Sequence, residues 1–377
     1  MKYYIIAGEA SGDLLGSYLM AEIKKNDPKA DFLVWGGDLM EAQGGEVIKH
    51  YKELAFMGFW EVLVNLRTIL KNFSICKVDM LLYEPDVVIF IDYPGFNLKM
   101  AKFARENGFK VVHYVSPSVW AWKKKRVFQI KRDVDLLFSI LPFEKEFYAR
   151  YQYDVAYIGH PLLDVIQDKT PQMVSLANFK QQYQLDERPI IALIPGSRKQ
   201  ELTHILPIMV SIMDQFPEYQ FVISKVAWQP LSLYQKLIGN RDIKLVEGDT
   251  YSLIHHAEAA LVTSGTATLE TALLNTPQVV CYKGNAISYS IAKRVVGKDL
   301  KYISLVNLIL DQPVVTELIQ HDLNPDRLVK ELKLILKNGE KREGMLEQYR
   351  ELKTKLGSGG ASQKAAELIN QLAKKEK

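Results

Sequence analysis

Cysteine is nearly absent from this 377-residue chain, and Cys76 and Cys281 stand far apart. That excludes a disulfide framework and a cysteine zinc pattern, and it fits a reducing cytosol. Long apolar runs are lacking too. None reaches the roughly 18 residues a membrane-spanning helix needs, and Met1–Gly8 is too short for a signal peptide. The expectation is a soluble or peripheral protein. Strong charge bias is missing: the formal net charge is +4 and the pI about 8.7, too weak to argue for nucleic acid. His160, His204, His255 and His256 show no metal-ligand spacing and read as structural, with His160 beside Pro161 able to face a crevice. The Gly-x-Gly-x-x-Gly fingerprint is absent, which disfavours a dinucleotide oxidoreductase.

What is present is an ordinary globular composition, 48% hydrophobic and 24% charged, at a length that favours two domains. Strands and helices alternate. Lys2–Ala7, Asp31–Trp35, Asp86–Asp92, Lys110–Val115 and Val134–Ile140 read as strands. Leu14–Lys25, Leu54–Leu82 and Lys99–Asn107 read as helices. The strands are near-continuous apolar runs, so both faces are buried, as in a parallel sheet covered by helices. After Gly159-His160-Pro161 a polar stretch begins. The alternation then restarts with strands Ile190–Ile194, Gln220–Ser224, Ile243–Val246, Ala259–Thr263 and Gln278–Tyr282. The expectation is α/β: two doubly wound, Rossmann-like parallel-sheet domains facing across a cleft. The boundaries are 1–165, a linker at 166–187, and 188–340, with the C-terminal helices 340–377 joining the first domain.

Ligands of open α/β sheets bind at the carboxyl ends of the strands, so the turns there carry the functional signal. Ser264-Gly265-Thr266-Ala267-Thr268-Leu269-Glu270 joins a strand to a helix. Free N–H groups at Thr266, Ala267 and Thr268, with the helix dipole, make an anion site. Glu270, one turn on, suits the hydroxyls of a nucleotide ribose; a simple helix cap fits the same residues. Gly196-Ser197-Arg198 follows the first strand of the second half, and Arg198 can hold a diphosphate with two parallel donors. In the first half, Gly8–Asp13 contains Glu9, Ser11 and Asp13. Asp92, at the end of its strand, can take a proton from a sugar hydroxyl, or cap the next helix. Trp120, Lys123 and Arg126 lie in an aromatic and basic stretch suited to phosphate or lipid headgroups. Met57, Phe59 and Trp60 belong to an apolar helix that reads either as core or as a membrane-dipping face. Asp133-Val134-Asp135 reads as surface.

Taken together, Gly8–Asp13, Leu54–Glu61, Ile91–Asn97, His113–Trp122, Leu141–Lys145, Ile158–His160, Pro195–Arg198, Ser264–Glu270 and Ser304–Leu308 resemble lipid-A-disaccharide synthase, a glycosyltransferase family of GT-B fold. The resemblance runs over nearly the whole chain. Two positions depart from the family pattern: Gly95 stands where an acid is usual, and Val306 where a proline is. The resemblance implies a UDP-2,3-diacylglucosamine donor, a 2,3-diacylglucosamine 1-phosphate acceptor, a β-1,6-linked acylated disaccharide 1-phosphate and UDP as products, and work at the inner face of the cytoplasmic membrane. It adds Asn307 to the donor site. On this reading Asp92 is the base, with Glu9 as second choice. Arg198 and the helix amides take the leaving-group charge without a metal, and no other cofactor is required. No nucleic acid is expected, and a homodimer is compatible. A UDP-sugar epimerase of the same fold and a silent UDP-sugar-binding protein are the competing readings.

Overall fold

The computed structural model describes residues 1–54, 66–121, 123–284 and 301–374. The expected apolar segment with Met57, Phe59 and Trp60 lies outside them. The chain divides into two compact units, Met1–Val165 with Ser358–Lys377, and Ile166–Gly357.

The first unit is built on β1 (Lys2–Ala7), β2 (Asp31–Gly36), β3 (Glu46–His50), β4 (Val87–Ile91), β5 (Lys110–Tyr114), β6 (Leu136–Ser139) and β7 (Ala156–Tyr157). These form a seven-stranded sheet in the order β3-β2-β1-β4-β5-β6-β7, with every pair parallel. The order reverses between β1 and β4. Tyr4 pairs with Val88 and Ile6 with Phe90 across that junction, and all four are buried. Burying each such side chain stabilises the fold by about 1.5–3 kcal/mol. Its helices are α1 (Ala10–Asn26), α2 (Asp38–Ala42), α3 (Leu66–Tyr83), α4 (Pro94–Glu106), α5 (Arg126–Asp133), α6 (Glu144–Ala149) and the start of α7 (Leu162–Lys169). Asp133, expected at the surface, is buried and paired with Arg132.

The second unit contains α8 (Leu176–Gln182), β8 (Ile190–Ile194), α9 (Lys199–Ser211), β9 (Gln220–Lys225), α10 (Leu231–Ile238), β10 (Lys244–Glu247), α11 (Thr250–His256) and β11 (Ala257–Thr263). It continues with α12 (Thr266–Leu273), β12 (Gln278–Tyr282), α13 (Leu305–Leu310), β13 (Thr316–Ile319), α14 (Pro325–Ile335) and α15 (Arg342–Leu356). Its six-stranded parallel sheet runs β10-β9-β8-β11-β12-β13, reversing between β8 and β11. Both sheets therefore have the doubly wound order with one switch point each.

The tail divides differently from the expectation that 340–377 joins the first domain. Only α16 (Ala361–Lys374) does so, packing on α1 and β5. Asp164 caps it from far along the chain, accepting from the N–H of Gly360 at 2.5 Å and of Ser362 at 2.8 Å. Helix α15 packs within the second unit against α12 and α13. There the wholly buried Tyr349 accepts from Gln278 Nε2 at 3.2 Å. The polar stretch 166–187 is no bare linker either. It carries α8, whose Phe179 is fully buried, and His256 lies 2.8 Å from the Val174 carbonyl.

Candidate active site

In the second unit the carboxyl ends of β8 and β11 are neighbours at the switch point. Gly196 ends the β8 turn with φ +100°. A Cβ there would run into the Glu201 carboxylate and stand 3.1 Å from Thr263 of β11, so only glycine lets the two turns come together. Arg198 is the N-cap of α9. Its backbone N–H donates to Glu201 Oε2 at 3.3 Å, and its guanidinium is half exposed, 3.6 Å from Glu201 Oε1. The Ser197 carbonyl accepts from Trp228 Nε1 at 3.1 Å and Gln229 Nε2 at 3.2 Å, which fixes the loop.

Opposite that loop, Gly265 precedes α12 with φ +154°, in a region that side chains avoid, and a Cβ there would meet nothing within 4 Å. The N–H groups of Thr266 and Ala267 have no acceptor among the described residues. Three free amides were expected; the Thr268 N–H instead turns back to the Gly265 carbonyl at 3.2 Å, as does its hydroxyl at 2.8 Å. Ser264 donates to the Ile303 carbonyl at 3.1 Å. The buried Thr263 hydroxyl has no partner among the described residues. Glu270 does stand one turn in, but Tyr251 already donates to its Oε1 at 2.9 Å. Desolvation raises its carboxyl above the ordinary range, against the pull of that phenol.

The Asn307 side chain is taken up by bonds within the second unit. Its amide is buried, donating to the Val315 carbonyl and Glu317 Oε1 at 2.9 Å each and accepting from the Val315 N–H at 2.9 Å. The residue that sequence reasoning missed is Glu317. Its carboxylate also takes the N–H of Ile303 at 3.0 Å, the N–H of Ser304 at 2.9 Å and the Ser304 hydroxyl at 2.7 Å. It thereby holds Ile303, whose carbonyl anchors Ser264. No local pattern around Glu317 announces this, because all its partners lie ten or more residues away.

In the first unit the switch point lies between β1 and β4. Asp92 follows β4 and is exposed. It and Tyr93 are both left-handed, φ +46° and +48°. Two such non-glycine residues in succession cost on the order of 1–3 kcal/mol each. They are held by Asn97, whose Nδ2 donates to the carbonyl of Asp92 at 2.7 Å and of Ile91 at 3.3 Å, and by the Asp92 N–H on the Tyr114 carbonyl at 3.4 Å. Gly8 makes room for the Tyr93 ring: a Cβ would sit 2.5 Å from Tyr93 Cγ. Glu9 is the N-cap of α1 and raises the Tyr93 phenol by its charge, after the larger effect of burial, so the Glu9 and Asp92 turns share one edge. Ser11 is exposed in the first turn of α1. Gly95 is exposed with open space where a side chain would go.

Asp13 leaves that edge. It is 2% exposed and accepts from the N–H groups of Gly37 at 2.8 Å, Leu39 at 3.1 Å and Met40 at 3.1 Å, so both oxygens cap α2. Desolvation nevertheless raises its carboxyl. Trp120 is half-buried, edge-on to Phe143 at 4.9 Å. Lys123 and Arg126 stand just before and at the start of α5; burial lowers both, and Arg126 lowers Lys123 further. His160 is buried and pushed down to about 3 by desolvation, hence neutral, and accepts from the Leu162 N–H at 3.2 Å. Among the described residues no group of His, Cys, Asp or Glu is arranged to hold a metal. None of their helices is long and apolar enough to cross a membrane.

A sequence profile described as lipid-A-disaccharide synthetase matches residues 3–372. The lipid-A-disaccharide synthase of Syntrophus aciditrophicus is 39% identical, covering 98% of this chain and 97% of that protein. Among solved structures, the UDP-GlcNAc 2-epimerase of Neisseria meningitidis bound to UDP-GlcNAc has a TM-score of 0.67 at 14% identity, covering 98% of this chain and 100% of that one. The glycotransferase of kitacinnamycin has a TM-score of 0.64 at 12% identity, covering 99% of each chain. These two likenesses speak for the fold, GT-B, and not for the reaction.

Proposed function

The chain belongs to the lipid-A-disaccharide synthetase family, and from that premise we propose how its two units divide the reaction. The activity is UDP-dependent glycosyl transfer in lipid A biosynthesis. UDP-2,3-diacylglucosamine and 2,3-diacylglucosamine 1-phosphate give the β-1,6-linked acylated disaccharide 1-phosphate and UDP. The second unit takes the donor. The diphosphate lies over Gly265, on the N–H groups of Thr266 and Ala267 and within reach of Arg198. Glu270, oriented by Tyr251, accepts from a ribose hydroxyl. The first unit takes the acceptor at the edge shared by Glu9, Ser11 and Asp92.

The acceptor's 6-hydroxyl oxygen forms a bond to the anomeric carbon from the face opposite the leaving group. The bond from that carbon to the diphosphate breaks, its electron pair going to UDP. The hydroxyl proton passes to Asp92; Glu9 is the alternative base. The amides and Arg198 act on charge that grows as UDP departs, where one well-placed donor is worth about 3–4 kcal/mol. Since these groups meet the diphosphate charge, the reading calls for no metal. One observation carries it: two N–H groups without acceptors among the described residues at the start of α12, under open space at Gly265, on the turn next to the one that carries Arg198 at a switch point.

Acylated substrates partition into bilayers, so the enzyme docks peripherally on the cytoplasmic face of the membrane. The basic stretch Lys123–Arg126, followed by the exposed Phe128, supports that docking. The test is to incubate purified protein with both acylated substrates and a chelator. The reading expects UDP release with one disaccharide formed per UDP. An epimerised UDP-sugar formed without acceptor, or UDP binding without turnover, would overturn it.

A further inference from the structure

Asp92 is flanked on one side by the turn that follows β5, because its N–H donates to the Tyr114 carbonyl. That turn is gripped from below by one short helix. Glu144 and Tyr148 lie four residues apart and so share one face of α6. Glu144 is 1% exposed, and its Oε2 accepts from the N–H groups of Ile140 at 3.2 Å and Leu141 at 3.1 Å. Those two bonds fix the start of α6 to the turn after β6. Tyr148, fully buried, holds the Ser116 hydroxyl at 2.8 Å. The Ser116 N–H donates to the Phe138 carbonyl at 2.9 Å. The backbone they restrain is strained: Val115 is β-branched with φ +70°. Its carbonyl lies 3.1 Å from Nδ1 of His113, which burial keeps neutral by pushing its pKa to about 4.

We propose that Glu144 and Tyr148 are positioning residues for the acceptor, holding Ser116 and with it the turn after β5 to which the Asp92 N–H bonds. The proposal rests on the reading of the Asp92 edge as the acceptor site. Glu144 fixes the start of the short helix whose next turn carries Tyr148, and the Tyr148 hydroxyl reaches from that helix to Ser116. Strain held at Val115 places the turn in one conformation only while these contacts persist.

The test is steady-state kinetics with each substrate varied in turn, for Glu144→Ala, Glu144→Gln and Tyr148→Phe. Displacing the turn should raise the acceptor KM of Glu144→Ala by roughly tenfold or more, while donor KM and UDP affinity stay at wild-type values. Glu144→Gln, which keeps an oxygen for the two N–H groups, should restore most of the acceptor KM. Tyr148→Phe, which loses a single hydroxyl contact, should show the same acceptor-selective change on a smaller scale. An unchanged acceptor KM in Tyr148→Phe, or donor and acceptor KM rising together in a folded Glu144 variant, overturns the proposal. Absence of disaccharide from the wild type would instead sink the functional reading beneath it.

Discussion

Glu144→Gln also makes a quantitative prediction for stability. Burial raises the Glu144 carboxyl from 4.5 to about 7, against the opposing pull of the Leu141 and Ile140 N–H groups and the Ser116 and Trp120 side chains. Unfolded, it returns to its ordinary value. Between those two values the folded protein keeps a proton that the unfolded chain has released, so stability falls as pH rises. The contribution is whole below the unfolded value, declines through the window, and is gone above about 7. The difference in pKa corresponds to about 3 kcal/mol. Glutamine does not titrate, so the variant escapes this loss. The assay is urea denaturation of both proteins in parallel, across about pH 4 to 8, read by tryptophan fluorescence. Groups common to both proteins cancel in the difference. The variant should gain on the wild type by about 3 kcal/mol from the acid to the alkaline end. A difference that stays flat, or moves the other way, would refute the burial argument for this carboxyl.

Three further outcomes follow from the sites. Asp92→Asn should abolish disaccharide formation while calorimetry finds UDP affinity unchanged; near-normal turnover would pass the role of base to Glu9. Arg198→Ala should weaken UDP and lower kcat together, by about two to three orders of magnitude in kcat/KM, read from initial rates of UDP release. Asp13→Asn should destabilise the first unit by about 1–3 kcal/mol in urea titrations, because it alters a buried acceptor of three N–H groups, yet leave acceptor KM near the wild-type value. A large acceptor KM change without loss of stability would return Asp13 to the substrate.

Much of the architecture was legible in the chain itself. Val87–Ile91 is five apolar residues in a row, and an unalternating run of that length is a strand covered on both faces. Repeated along the chain with helices between, it admits little besides doubly wound parallel sheets. The edge strands β3 and β13 escaped notice because they are partly polar, and the edge strand β7 because it is only two residues long, too short to show an apolar run. The turns that carry ligand chemistry were legible too, since Ser264–Glu270 and Gly196–Arg198 follow apolar strands directly.

What sequence alone determined was which segments are strands, which turns end them, and which residue types those turns offer. Tertiary structure decided what each of those residues bonds to within the protein. Asp13 caps α2, Asn307 is enclosed by Val315 and Glu317, and the Thr268 amide folds back on Gly265. Glu144 holds the turn after β6, and Tyr148 on the same helix holds Ser116 after β5. The reason is physical. Periodicity is a local property of the chain, whereas a polar side chain bonds to whatever donor folding brings within 3 Å or so, and for these carboxylates and amides that donor is often supplied by a different element.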